Sequence, residues 1–429
     1  MPTARWTSLL VASIASAVVA GSGQTRTPAV QAFVGARVID GTARPPIDNA
    51  VFVVRDGRIE AIGPAAAVRP PAGARTIDLS GKFVIPGLIS AHTHVSDVNG
   101  TRPRAYTDEN TLRQLKVFAR YGVTAVWSLG GEQEPAFRAR DAQNTAALDR
   151  ARLYLAGDII VGKTPDDARR MVGDVAARKP DVIKIRVDDN LGATAKMQPE
   201  VYRAVIDEAH RRGLRVAAHI FYLDDAKDLV RAGADVIAHS VRDKEIDDEL
   251  IALMKARNVG YCPTLTRDLS TFVYETTPSF FADPFFLREA DRAVVAQLQE
   301  QPRQEAMAKS RTAQAYKAAL AVARRNLKKA ADAGVLIAMG TDAGPSPERF
   351  QGYFEHLEME MMVESGLSPA QVLRASTLDA ARVMKVDGIG SVAKGSWADF
   401  VVLDRDPLQD IRNTRSISAV WIAGNQVER

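Results

Sequence analysis

A single cysteine, Cys262, among 429 residues excludes any internal disulfide, so the fold must rest on its core whatever the redox compartment. Charge excess is also missing: 56 Lys and Arg face 52 Asp and Glu, a formal net charge of +4. No dense basic run with interleaved aromatics occurs, which argues against a nucleic-acid surface. The N-terminal apolar run, residues 6–20, is shorter than the ~20 apolar residues that a membrane span requires. Histidine is scarce as well, at six residues, so where the histidines fall carries information.

What is present is an ordinary globular composition, 46% hydrophobic and 25% charged, enough for a full core. Residues 1–5 carry positive charge, and the apolar run ends in Val18-Val19-Ala20 with a small residue for cleavage. This is a secretory signal pattern over residues 1–20, followed by a Gly/Thr/Pro-rich linker over 21–31. A periplasmic or secreted location is expected. Retention of the segment as an anchor is the alternative.

Residues 32–85 read as short strands punctuated by Asp40-Gly41, Asp56-Gly57 and Gly81-Lys82, an antiparallel β unit. The pattern then changes to strand–helix alternation, the signature of a parallel sheet. Eight strands are expected, at 84–91, 123–128, 153–156, 181–187, 215–219, 234–239, 259–264 and 335–342. Eight such units predict an α/β fold, a (β/α)8 barrel over 86–391 with its site at the C-terminal strand ends. Helices are expected over 354–365 and 368–384. Residues 392–429 return to short strands and should pair with the opening ones. The barrel would thus be inserted in a small β-sandwich built from 32–85 and 392–429. A long insert between strands seven and eight begins with Phe272, Tyr274, Phe280, Phe281, Phe285 and Phe286. It either docks on the barrel through these rings or forms an apolar lid over the mouth.

The strand ends carry the chemistry. The first ends in His92-Thr93-His94, and side chains at i and i+2 of a strand point to one side. The fourth carries Lys184; the fifth, sixth and eighth end in His219, His239 and Asp342. Four of the six histidines therefore sit at barrel strand ends. His210 and His356 fall in helices and are expected to pack or to face solvent. Imidazole and carboxylate suit zinc and its neighbours. Lys184 either pairs with an acid such as Asp188 or, neutralised by burial, reacts with carbon dioxide to give an anionic carbamate.

Taken together, Pro86–His94, Ile183-Lys184-Ile185, Ala218-His219, Ala238-His239, Gly340–Gly344, Ala375-Ser376-Thr377 and Gly388–Asp399 make the chain resemble the amidohydrolase superfamily. The nearest branch looks like the imidazolonepropionase-related, Xaa-Pro-dipeptidase-like members. The resemblance implies a hydrolase of carbon–nitrogen bonds with two divalent metal ions, zinc being the first expectation. It implies that His92, His94 and Asp342 hold one ion, that His219 and His239 hold the other, and that carboxylated Lys184 spans both. A metal-bridged hydroxide would attack the carbonyl, with Asp342 passing its proton to the leaving group.

Two departures bear on the substrate. Phe221 stands where peptidase members often carry tyrosine, with Tyr222 next, and Ser240 stands where they usually have glycine. Arg186, two residues beyond Lys184, should also face the mouth, where a guanidinium suits a carboxylate. Arg186 and Tyr222 are thus the expected substrate contacts, and a dipeptide or N-acyl amino acid is the expected substrate; the alternative for Arg186 is that it pairs with Asp188 or Asp189 and only shapes the loop. A lactonase or esterase on the same centre is the alternative. A mononuclear deaminase is disfavoured by Lys184 and by the absence of glutamate just after His219, and a metal-free scaffold by the complete ligand set. A small molecule is the expected partner, with no nucleic acid, no membrane span after processing, and a homo-oligomer compatible with the sequence.

Overall fold

The computed structural model describes Met1 and residues 30–428. The expected leader beyond Met1, and the linker through residue 29, lie outside them. Five strands open the described chain: β1 (Gln31–Val38), β2 (Ile47–Arg55), β3 (Arg58–Pro64), β4 (Arg75–Asp78) and β5 (Phe83–Pro86). β2 and β3 are joined by Asp56-Gly57, both at positive φ, 50° and 76°. That is the two-residue hairpin geometry for which Asp-Gly is favoured. β1 changes partner midway: residues 31–34 pair with β4 and residues 37–38 with β5. Gly35 stands at the switch with φ +87°, and a Cβ there would lie 2.4 Å from the Ser80 hydroxyl.

The barrel follows. β6 (Leu88–Thr93), β7 (Val123–Ser128) and β8 (Arg152–Leu155) form one parallel run. β9 (Ile183–Arg186), β10 (Val216–His219), β11 (Val236–Ile237) and β12 (Gly260–Tyr261) form a second. The Asp181 N–H donates to Leu155 O at 2.8 Å, and an Ile160–Ile185 bridge completes the join. The eighth position closes the ring without a regular ladder. Its backbone bonds run from Tyr261 N to Leu336 O on one side and from Ala91 N to Met339 O on the other.

Two expectations are corrected here. The first strand does not run unbroken over 84–91: Phe83–Pro86 pairs with the outer sheet, and only Leu88–Thr93 enters the barrel. Gly87 marks the crossing, where the chain passes so close to Thr124 that a Cβ would lie 1.9 Å from its hydroxyl. The helix expected over 368–384 is two, Pro369–Ala375 and Leu378–Met384. The break frees two carbonyls: Ala375 O accepts from Met339 N, and Ser376 O from Ile89 N, at 2.8 and 2.7 Å. The helix interruption thus supplies hydrogen bonds that the first and eighth strands do not find in a ladder.

The insert folds as short turns and three helices, Arg292–Leu298, Gln301–Lys309 and Arg311–Asp332. Phe272, Tyr274, Phe281, Phe285 and Phe286 are buried. Phe286 packs edge-on to Phe350 at 4.8 Å and Phe285 against Tyr121 at 5.0 Å between ring centroids. These rings dock the insert; they are not a free wall over the mouth. Last come β13 (Phe400–Leu403), β14 (Ile417–Ile422) and β15 (Asn425–Gln426), which extend the outer sheet from β5. Phe33, Phe52, Phe400 and Trp421 close its core, with Phe33 4.8 Å from Phe52 and 5.0 Å from Phe400. The opening strands β1–β5 and the closing strands β13–β15 therefore build one sandwich around an inserted (β/α)8 barrel. Among the described residues no helix is long and apolar enough to cross a membrane.

Candidate metal centre

β6 delivers His92, 1% exposed, and the residue after its end is His94. The His94 Nδ1–H donates to Gly130 O at 3.0 Å, which leaves Nε2 as an acceptor. Gly130 is itself held by buried Glu132, which accepts from Gly130 N at 2.8 Å and from Gly157 N at 2.7 Å. Burial pushes the Glu132 carboxyl up from its ordinary range. The eighth strand ends in Asp342, in the left-handed region at φ 57°. Its Oδ1 lies 2.8 Å from His94 Nε2 and 3.6 Å from His92 Nε2. Burial pushes Asp342 upward, but the Arg349 guanidinium beside it holds the carboxyl well below its usual range. Arg349 Nη1 donates to Asp342 Oδ2 at 2.7 Å.

Lys184 on β9 is 2% exposed, and its Nζ lies 3.3 Å from His92 Nε2. Burial lowers its pKa to about 8. The alternative pairing of Lys184 with Asp188 is not made. Asp188 instead accepts from His219 Nε2 at 2.9 Å and from Arg186 Nε at 2.9 Å. Burial alone would raise Asp188; His219 and Arg186 together hold it low.

His219 ends β10 and His239 follows β11, with ring centroids 4.0 Å apart. The His239 ring stands 4.6 Å from that of His92. Burial lowers His219 to about 3, against an upward pull from Asp188, and lowers His92 and His239 well below the usual range. All three are therefore neutral near neutral pH, the state in which imidazole ligates metal. His210 and His356 bond elsewhere: His210 to Asp235, His356 to Tyr121 O and Thr414.

The donor set fits metal ions. His92, His94 and Asp342 bring one ligand atom each within 4.8 Å of one another. His94 Nε2 and Asp342 Oδ1 are two acceptors facing each other at 2.8 Å, an arrangement that a shared cation reconciles. Buried His92 Nδ1 and His239 Nε2 have no hydrogen-bond partner. The Nδ1 of His239 is held by the Thr264 hydroxyl at 2.7 Å, and His219 is held by Asp188. Such outer contacts fix ring orientation and tautomer at metal sites.

Beside the centre lies a cavity of about 490 Å³, lined by Lys163, Arg186, Asp188, Lys196, Met197 and Gln198 among others. Arg186 spends Nε on Asp188 yet lines this space. Tyr222 donates its hydroxyl to Asp189 at 2.8 Å, and Lys196 stands over its ring. Glu132 and Arg349 are site residues that the sequence pattern does not mark. Glu132 ties its own loop, at Gly130, to Gly157 of another, and Arg349 reaches back seven residues to Asp342, so no motif spacing announces either.

A sequence model of the amidohydrolase family matches residues 83–427. Imidazolonepropionase of Deinococcus radiodurans is 23% identical over 403 residues, 89% of this chain and 92% of that protein. Ochratoxinase of Aspergillus niger is 26% identical over 282 residues, 63% of this chain and 51% of the enzyme. Among solved structures, a provisionally assigned prolidase from Bifidobacterium longum superposes with a TM-score of 0.77 at 26% identity. That match covers 94% of this chain and 95% of the other.

Proposed function

This chain belongs to the amidohydrolase family and is a hydrolase of carbon–nitrogen bonds; from that premise we propose that it cleaves the amide bond of a dipeptide or N-acyl amino acid at a two-metal centre. One observation carries the reading: four imidazoles, a carboxylate and a buried amine from five strand ends converge at one place. His92, His94 and Asp342 would hold one divalent ion, His219 and His239 the other, with carboxylated Lys184 between them. Zinc is the first candidate by ligand type. Bound there, such ions supply Lewis acidity, which acidifies water and polarises a carbonyl.

The chain's own groups do the rest. Arg349 pins Oδ2 of Asp342 and leaves Oδ1 facing inward. From there Asp342 takes a proton from the attacking water and delivers it to the leaving nitrogen as the C–N bond breaks. Asp188 holds His219 in one tautomer. Arg186 and Tyr222, beside the cavity, would contact the substrate, Arg186 through its outer guanidinium nitrogens on a carboxylate. Similarity to an imidazolonepropionase, an ochratoxinase and an enamidase supports carbon–nitrogen chemistry. An ester or lactone would fit the same centre and is the second reading.

Elemental analysis of protein produced with added metal should approach two divalent ions per chain. One ion or none, with full activity, would reject the two-metal reading. A panel of dipeptides, N-acyl amino acids, lactones and aryl esters should rank the amides first. Arg186→Met should lower kcat/KM on carboxylate-bearing amides by at least about tenfold, since losing a charged hydrogen bond costs several-fold to many-fold in affinity.

A further inference from the structure

The wall of the centre formed by the sixth to eighth strands is unusually rich in cations that the proposed reaction leaves idle. Arg242, three residues beyond His239, is 1% exposed. Its Nη1 donates to Ser240 O at 2.7 Å and to Ile220 O at 3.1 Å, and its Nε faces Asp268 Oδ2 at 3.2 Å. Its Nη2 is buried with no hydrogen-bond partner. Arg267, three residues beyond Thr264, is 7% exposed. Its Nη1 donates to Asp268 Oδ1 at 2.9 Å. Its Nε makes no hydrogen bond and lies 3.9 Å from Asp342 Oδ2, at the metal centre itself. Aromatic faces back both guanidiniums: Arg267 stands 4.4 Å over Tyr316 of the insert, and Arg242 4.7 Å over Phe221.

Charge does not balance on this wall. Arg242, Arg267 and Arg349 share two carboxylates, Asp268 and Asp342. Arg349 already donates to Asp342 Oδ2 at 2.7 Å, and the other oxygen of that carboxylate faces His94, so Asp342 leaves no free oxygen for Arg267. The next buried acid, Glu358, spends its oxygens on Leu265 N, Thr266 N and the Thr266 hydroxyl. Buried guanidinium donors without acceptors are costly, and a carboxylate is the partner that their planar fork fits best. Arg186 stands on strand four, across the barrel from this wall.

We propose that Arg267, backed by Arg242 and closed over by Tyr316, receives a second carboxylate of the substrate, on the acyl side of the scissile bond. The preferred substrates are then dianionic: amino acids N-acylated by a dicarboxylic acid, one carboxylate reaching Arg186 and the other Arg267. This rests on the carbon–nitrogen hydrolase reading above and narrows its substrate class.

The test compares N-succinyl-phenylalanine with its neutral isostere, N-succinamoyl-phenylalanine, and with N-acetyl-phenylalanine. Wild-type protein should prefer the succinyl compound over the isostere by at least about tenfold in kcat/KM. Arg267→Gln should collapse that ratio, and Arg267→Lys should restore part of it. Arg186→Met should lower both rates and keep the ratio. No preference in the wild type, or a folded Arg267→Gln that keeps it, overturns the proposal. Should Arg267→Gln fail to fold by circular dichroism, a crystal structure of metal-loaded wild type with succinate decides. A carboxylate hydrogen-bonded to Arg267 supports the subsite; its absence there overturns it. If the wild type hydrolyses none of the three amides, the N-acyl amino acid reading fails instead, and the succinate structure still reports on the subsite separately.

Discussion

Lys184 is the residue whose chemistry is least ordinary. Among the described residues no carboxylate lies within ion-pair reach of its Nζ, which is buried beside an imidazole. Burial brings its pKa to about 8, so a sizeable fraction is neutral amine in mildly alkaline solution. A neutral amine adds to carbon dioxide: the nitrogen bonds to carbon, one proton leaves, and a two-oxygen anion remains. Lys184→Ala should therefore lose most activity and part of the bound metal, and should regain activity when a short-chain carboxylic acid is supplied. A structure with both ions bound and an unmodified ammonium would reject the carbamate. The type of each candidate ligand was legible in the sequence, because His92, His94, Lys184, His219, His239 and Asp342 fall at predicted strand ends. Asp188 was legible only as an acid near Lys184 and Arg186. That it chooses His219 and Arg186 is decided by which side chains the barrel brings together, not by spacing.

At the scale of elements, period-two alternation placed His92 and His94 on one side, since residue i+2 keeps the face whatever the strand's exact start. The start itself was not legible. Val84–Pro86 and Leu88–Ile89 read as one apolar run, and only the passage at Gly87 assigns its halves to different sheets. Likewise the helix break at Ser376-Thr377 follows from carbonyls needed by Met339 and Ile89, a tertiary demand. The helix Tyr353–Glu364 shows how such demands are met. Its His356 is 1% exposed and bridges Tyr121 O at 2.8 Å and the Thr414 hydroxyl at 3.0 Å. Burial lowers its pKa to about 3 from an ordinary 6.5. The unfolded chain thus takes up a proton in this window that the folded chain refuses. The stability contributed is complete above pH 6.5 and is lost as pH falls towards about 3. His92, His219 and His239 act in the same direction. His356→Gln should be less stable than wild type at pH 7.5, as measured by thermal melting. Its stability should fall less steeply on acidification, by one histidine's share. Parallel slopes for the two proteins would show that His356 is not neutral in the fold.

Over the whole molecule, barrel and sandwich are tied by a fully buried ion pair between residues far apart in sequence. Arg152 on β8 and Asp399, just before β13, are 0% and 3% exposed at their side chains. The Arg152 Nε donates to Asp399 Oδ2 at 2.6 Å and Nη2 to Oδ1 at 3.3 Å. Asp399 also accepts from Ala423 N at 2.7 Å, and Trp397 stacks 4.1 Å from the guanidinium. The segment Trp397-Ala398-Asp399 was legible as part of a resemblance, but its physical role was not, since nothing local links it to Arg152. Removing one partner strands a charge in an apolar setting, which costs about 3–5 kcal/mol; removing both leaves no such charge. Asp399→Ala should therefore lower the free energy of chemical unfolding by about that amount. Adding Arg152→Met to it should recover part of the loss, because the stranded guanidinium is gone and a flexible apolar side chain can fill its place. The coupling matters for the site because Gly87 N, where the chain enters the first barrel strand, donates to the carbonyl of the same Asp399 at 2.9 Å. The sandwich thereby sets the entry of the strand that delivers His92 and His94. If the double variant were as unstable as the two single losses added together, Arg152 and Asp399 would be acting as independent packing groups, and this pair would not hold the sandwich to the barrel by charge.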